Sequence, residues 1–429
     1  MRQTKSGLPA LNTLTFRHAI RRRIDAKLPS LVECPVNDFC GNRRSAYLDV
    51  FRAVAILLIL FGHIPVRMPD ETFGAPVFFI LRQSALLGVD LFLVLSGFFI
   101  AGYLFEEHRQ TGSISFARFF SRRALKIYPS YGVAVLLLFV WQAARVHRGT
   151  PALRIAAAFG DIWVYLAHLQ NYRIPRVDAF VQTWTLVLLI QFYVAFAALL
   201  YVLDKFHRDK STHPFRAIPW IFAISVPVCF FLRKTVADHY PIFNPWTHNF
   251  ALQLRVDEIL SGVWMAYLIV YARPGIERIA RYWPLLVLVC IGTILPVSLR
   301  KVEAPRFLHL WGFTLAGFGF AGLVLAAWTK EKKRPDDVYS VADHLLTRLV
   351  ASLGVISYSI YIWHLPFGAW MGMKVGNRLC TWFGLWGSPF QYWLRVGVYF
   401  GVAISASSVM YVCIERPGLL FGKRFRSAR

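Results

Sequence analysis

The sequence is short of acid, of cysteine and of any secretion leader. Asp and Glu together number 23 against 48 Lys and Arg, a formal net charge of +25 at pH 7. Such an excess raises the question of a nucleic-acid partner. Here, though, the basic residues are parcelled out between apolar stretches and do not form one block, so none is expected. The six cysteines (34, 40, 229, 290, 380 and 413) are scattered. Cys34 and Cys40 have no second CxxC-like pair, so neither a disulfide framework nor a structural metal is expected. Residues 1–46 lack the apolar core of a signal peptide. No internal repeat or low-complexity tract interrupts the chain.

What the chain has is apolar length. It is 56% hydrophobic with a mean hydropathy of +0.47, and carries 36 Phe, 18 Tyr and 14 Trp. Runs long enough to cross a bilayer recur, with aromatic rings of the kind that collect at membrane interfaces. The expected fold is an all-α polytopic transmembrane bundle of about ten spans: 47–66, 86–105, 125–143, 183–203, 215–232, 251–271, 283–299, 309–328, 348–368 and 394–414. Lys and Arg concentrate in alternate connecting segments, which by the positive-inside rule face the cytoplasm and put both termini there. Counting 152–170 as a further span would send the later basic loops outside, so it reads as re-entrant or interfacial on the outer side. Three regions follow: a basic cytoplasmic extension (1–46), a membrane domain (47–418) and a basic tail (419–429). Within the extension, Arg17 to Leu28 reads as a short helix on anionic lipid.

The first span, YLDVFRAVAILLILFGHIP, is apolar yet carries Asp49, Arg52 and His63. A charge within a span costs about 2.5 kcal/mol or more and marks a functional site by default. Arg52 and His63 are eleven residues apart. On a helix that places them on one face, ~16 Å apart along the axis. An Arg snorkelling to the interface and a His bonded within the bundle would be the plain structural account.

At this point the motifs resemble those of the acyltransferase 3 family of membrane O-acyltransferases. LDVFRAVAILLILFGHI resembles its Arg-x10-His motif, and GVDLFLVLSGFFIAGYL its second-span motif. SRRALKIYPSY, SYSIYIWHLP and Ile414-Glu415-Arg416-Pro417 resemble its basic, late-span and closing motifs, all in family order from about residue 45 to 418. The resemblance implies transfer of an acyl group, commonly acetyl, from a cytoplasmic acyl-CoA co-substrate to a hydroxyl of a carbohydrate outside. No bound cofactor is implied, and a bacterial inner-membrane location is. A hydrolase-like C-terminal domain occurs in some members and is not expected here. Two departures stand out. Trp184-Thr185-Leu186-Val187-Leu188-Leu189-Ile190-Gln191-Phe192-Tyr193 has Leu189 and Ile190 where the family carries a carboxylate, and Lys126 stands where Arg is frequent.

Under that resemblance His63 is the general base, with an acyl-histidine also conceivable. Arg52 binds the donor, stabilises developing charge or pairs with Asp49, three residues away on the helix. Arg122, Arg123 and Lys126 hold the CoA phosphates or simply anchor the inner boundary. Trp184, Tyr361 and His364 belong to the acceptor side, with Tyr358 on the same broad face as Tyr361 and His364, or that face is packed aromatic surface. Ser96 and Gly97 read as helix packing, and Glu415 with Arg416 as a structural pair. Asp257 and Glu258 are candidates for the missing carboxylate. The competing readings are a glycan transporter or flippase, since intramembrane Arg and His also mark transport paths, and an inactive scaffold of a glycan-assembly complex.

Overall fold

The computed structural model describes residues 45–144, 160, 162–172, 182–207, 212–242, 244–298, 306–333 and 345–427. Outside them lie the N-terminal extension with its expected helix at 17–28, Cys34 and Cys40, the first part of 152–170, most of the loop 329–347 and the last two residues of the tail. Among the described residues every regular element is a helix. In chain order they are α1 (Ala46–Gly62), α2 (Ala75–Gln83), α3 (Ala85–Thr111), α4 (Phe116–Ala144), α5 (Ile162–Leu166), α6 (Trp184–Lys205), α7 (Ile218–His239), α8 (Pro245–His248) and α9 (Val256–Tyr271). Then follow α10 (Arg273–Ile279), α11 (Trp283–Ser298), α12 (Phe313–Lys333), α13 (Leu345–Val355), α14 (Ser357–Trp363), α15 (Met373–Trp382), α16 (Phe390–Met410) and α17 (Arg416–Ser427).

Six helical stretches are long and apolar enough to cross a membrane, or up to eight if each of two bent pairs is one span. This makes the chain a multi-pass membrane protein. All ten expected stretches fall on helices, but several of those helices are short: α1 has 17 residues, α9 and α11 have 16 each, and the stretch 348–368 is divided between α13 and α14, of 11 and 7 residues. Proline chemistry explains why α1 ends short of its expected bound. α1 stops at Gly62, one residue before His63, because Ile64 precedes Pro65 and the residue before proline disfavours the helical region. α9 begins only at Val256 and turns by 110° into α10, which carries Pro274 in its first turn. At its other end α1 is well begun: Ser45 caps it by accepting the Leu48 N–H at 3.2 Å, and Asp49 lies in the first turn against the helix dipole.

α3 is the central element, buried along most of its length. It meets α9 backbone to backbone. A Cβ on Gly97 would lie 2.1 Å from the Ile259 carbonyl oxygen, and one on Gly262 would lie 2.0 Å from that of Val94. Small residues that admit such an approach are the main device of helix packing in lipid, where burial of apolar surface gives no drive. α13 closes on α1 in the same way, with Gly354 against the Asp49 carbonyl.

Between α14 and α15 the helix widens into a π-helical segment, His364–Gly372. Pro366 accounts for it: having no N–H, it leaves the Ile362 carbonyl without its usual i+4 donor. The Gln182 side-chain amide donates to that carbonyl instead, at 3.2 Å. The segment just before α6 is thereby pinned to the turn that carries His364.

Candidate active site

His63 sits at the C-cap of α1 and half-buried. Its Nδ1 is 2.8 Å from the Ile59 carbonyl oxygen. A carbonyl only accepts, so in the neutral ring Nδ1 carries the proton and Nε2 holds the lone pair. His364, fully buried, repeats the arrangement: its Nδ1 lies 2.9 Å from the Tyr361 carbonyl and 3.2 Å from that of Ile360, and its Nε2 has no hydrogen-bond partner. The two rings stand edge to face with centroids 5.0 Å apart. The structure therefore joins the first-span histidine to the late-span histidine, residues 301 positions apart in sequence (364 − 63). Both are bases held in one tautomer by their own helices.

Tyr361 and Trp184 are linked to this pair. The Tyr361 hydroxyl donates to the Gln182 carbonyl, and its ring centroid is 6.4 Å from that of His364. Two residues beyond Gln182, Trp184 is buried and stacked on Phe250 at 4.3 Å. Tyr358 faces elsewhere: its hydroxyl donates to the Ile127 carbonyl at 2.7 Å, tying α14 to α4.

Arg52 lies at the opposite end of α1 from His63. Its Nη1 donates to Asp49 at 2.7 Å, and its guanidinium rests on the Phe99 ring at 4.1 Å. One turn along α3, Tyr103 accepts from Arg122 at 2.5 Å. Arg123 packs over the rings of Phe119 and Tyr193 at 5.8 and 5.5 Å. Lys126 is close enough to the buried Glu415 to interact with it electrostatically, and Glu415 accepts from Ser359 at 2.7 Å. Phe99 and Tyr103 thus bring Arg52 and Arg122 to neighbouring positions, and the expected donor-side residues gather at one end of the α1–α3 pair. The expected Glu415–Arg416 pair is not formed: Glu415 turns to Ser359 and Lys126 instead, and Arg416 Nε is buried without a hydrogen-bond partner.

Glu258 is committed to another cation. Arg255 donates Nε and Nη2 to its two carboxylate oxygens, at 2.5 and 2.9 Å, and also bonds Asp90. Arg233 donates to Asp257 at 2.5 Å and to Thr314 at 2.9 Å. All five charged groups are at most 2% exposed, and the Phe313 ring lies between the two guanidiniums, 4.0 Å from Arg255 and 5.3 Å from Arg233. The Arg255 guanidinium is also 5.9 Å from the Trp184 ring. So α6 has no acid at 189 and 190, but its first residue faces an arginine held by Asp90 and Glu258. Gln191 serves structure, exchanging hydrogen bonds with Asn171 and donating to the His168 carbonyl at 2.7 Å. The sequence reading passed over Asp90, Arg233 and Gln182. Asp90, alone in the apolar run GVDLFLVLSG, carried the signal of a charge inside a span; Gln182 carried none.

A profile of the family described as "Acyltransferase domain" matches residues 45–412. The chain belongs to this acyltransferase family. The match runs from the cap of α1 through α16, and so takes in both histidines and the basic end of α4. A membrane-bound transacylase of Komagataeibacter xylinus, provisionally so named and called BcsY, is 25% identical over 402 residues, covering 90% of this chain and 86% of the relative. A provisionally named O-acetyltransferase of Staphylococcus aureus strain COL is 28% identical over 231 residues, 52% of this chain and 34% of the relative. The O-acetyltransferase OatA of S. aureus strain NCTC 8325 is 20% identical over 327 residues, 74% of this chain and 50% of the relative. The aligned parts thus span a third to a half of these staphylococcal relatives. No solved structure matches the chain.

Proposed function

We propose that the protein is a ten-span membrane O-acyltransferase with both termini in the cytoplasm. It moves an acyl group, acetyl first among candidates, from cytoplasmic acyl-CoA to a hydroxyl of an extracytoplasmic glycan. Family membership supports acyl transfer, and the basic inner segments, Arg109 to Lys126 among them, support the sidedness. The observation that carries the reading is the layout of α1: a cationic end at Arg52 and a two-histidine end at His63, ~16 Å apart by helical rise. Residues 1–46 and 419–429 are basic extensions of the acyltransferase domain at 47–418, and a bacterial inner membrane suits the whole.

In this reading the CoA phosphates lie against Arg122, Arg123 and Lys126, and the pantetheine arm carries the thioester towards His63. Arg52, fixed by Asp49, faces the negative charge of the donor. The acceptor hydroxyl binds between His63 and His364, with Trp184 and Tyr361 walling its approach. His63 Nε2 takes the hydroxyl proton as the oxygen attacks the thioester carbonyl. The C–S bond breaks as the ester forms, and the CoA thiolate leaves and is protonated. Glu258 acts at a distance, by holding Arg255 against Trp184.

Two kinetic results test this in proteoliposomes, with labelled acetyl-CoA on the side of the termini and glycan on the other. Arg122→Ala removes a charge-assisted contact and raises the KM for acetyl-CoA about tenfold, with the acceptor KM unchanged. His364→Gln raises the acceptor KM about fivefold and leaves the donor KM alone. The opposite pattern, or label transfer only when both substrates share one side, removes this assignment of ends.

A further inference from the structure

A second cationic site lies off this path, where the end of α6 meets the start of α7. Phe206, His207, His213, Arg216 and Trp220 line a pocket of about 620 Å³ there. His213 lies flat on Tyr271, centroids 3.9 Å apart, with its Nε2 3.4 Å from the Tyr267 hydroxyl. Its Nδ1 is buried without a hydrogen-bond partner. When Tyr267 donates to Nε2, Nδ1–H is a donor in want of an acceptor. Arg216 is exposed and forms no hydrogen bond or ion pair among the described residues. Burial, then the charges of Arg216, His207 and His108, hold the His213 pKa below the usual imidazole value. His207 donates to the Thr212 carbonyl at 2.8 Å, and His108 faces Asp204 at 3.4 Å; among the described residues no carboxylate pairs with Arg216 and no acceptor meets His213 Nδ1.

The pocket opens onto a lipid-facing stripe. Trp220, Ile224, Val228 and Phe231, at helical spacing along α7, are 72, 61, 47 and 63% exposed. Phe206, 70% exposed, flanks the other side. An anion with an apolar tail satisfies both features, and a water-soluble anion only the first. We propose that this pocket binds an anionic phospholipid, its headgroup phosphate on Arg216 and His213 Nδ1 and one acyl chain along the Trp220–Phe231 stripe. Basic pockets between spans at the cytoplasmic boundary recognise headgroups in this way.

Native mass spectrometry of the detergent-purified chain, titrated with phosphatidylglycerol or phosphatidylcholine, tests it. The wild type is expected to retain one phosphatidylglycerol in preference to phosphatidylcholine. Arg216→Gln binds phosphatidylglycerol about fivefold more weakly, and Arg281→Gln, an exposed cation elsewhere, binds as wild type. His213→Asn, which keeps a donor near the Nδ1 position, binds more tightly than His213→Phe. Equal losses in Arg216→Gln and Arg281→Gln would reduce the site to general surface charge. Displacement of the lipid by coenzyme A would assign the pocket to the acyl donor. Either result overturns the proposal.

Discussion

Replacing His63 by Ala is expected to abolish O-acylation of the glycan while leaving the protein in the membrane. General base catalysis contributes roughly 10²–10⁴-fold, and the hydroxyl proton would have His364 Nε2 as the nearest other acceptor on the acceptor side. The measurement is the acyl mass on envelope or secreted glycan in cells expressing wild type, His63→Ala or His63→Gln, with membrane expression verified. Gln keeps an N–H donor and comparable volume but cannot accept a proton at neutral pH, so it should be as inactive as Ala. Full acylation by both variants would take His63 out of the chemistry. Acylation kept by Gln and lost by Ala would assign His63 a packing and hydrogen-bonding part, leaving the base elsewhere.

The largest effect on stability should come from Arg255→Ala. It leaves Asp90 and Glu258 buried, 1% and 0% exposed, without the guanidinium that bonds both. Removing one partner of a buried ionic set costs about 3–5 kcal/mol, because the remaining charge is stranded. The loss should appear as a sharp fall in folded yield and in melting temperature in detergent. Removing the set together behaves differently: Arg255→Met with Asp90→Asn and Glu258→Gln should recover much of that stability, since desolvation of ions nearly cancels their attraction. Activity should not return with it, because Trp184 then loses the cation it faces. A single Arg255→Ala variant that melts with the wild type would show that the network adds nothing to the fold.

The helical, membrane-crossing character and the two polar ends of α1 were legible in the sequence because each is local. Hydropathy is read over about twenty residues, and Arg52 and His63 sit on one short helix. The motifs also placed Arg122, Arg123 and Lys126 near a boundary. What joins the ends of the chain was not legible. The contact between His63 and His364 depends on how α14 lies against α1, and the Gln182 bond to Ile362 exists because Pro366 vacates a carbonyl 180 residues away in sequence. Arg255 looked like a neighbour of Glu258 only; its bond to Asp90 crosses 165 residues. The end of α1 shifted for a backbone reason: the apolar run continues through Ile64–Pro65, where the helix cannot.

The Gly97–Gly262 crossing has a mechanical consequence. Two helices touching through their main chains cannot slide along each other without carbonyls colliding, so α3 and α9 form the stator of the molecule. Any opening that admits a long donor or a bulky sugar must be supplied by parts held through side chains. The α14 turn is such a part: four side-chain links hold it, Tyr358 to Ile127, Ser359 to Glu415, Tyr361 to Gln182 and Gln182 to Ile362, and each can break and reform as a rotor swings. His63 rides on α1 and stays with the stator, while His364 travels with the turn, so the gap between the two imidazoles is the dimension that opening and closing would change.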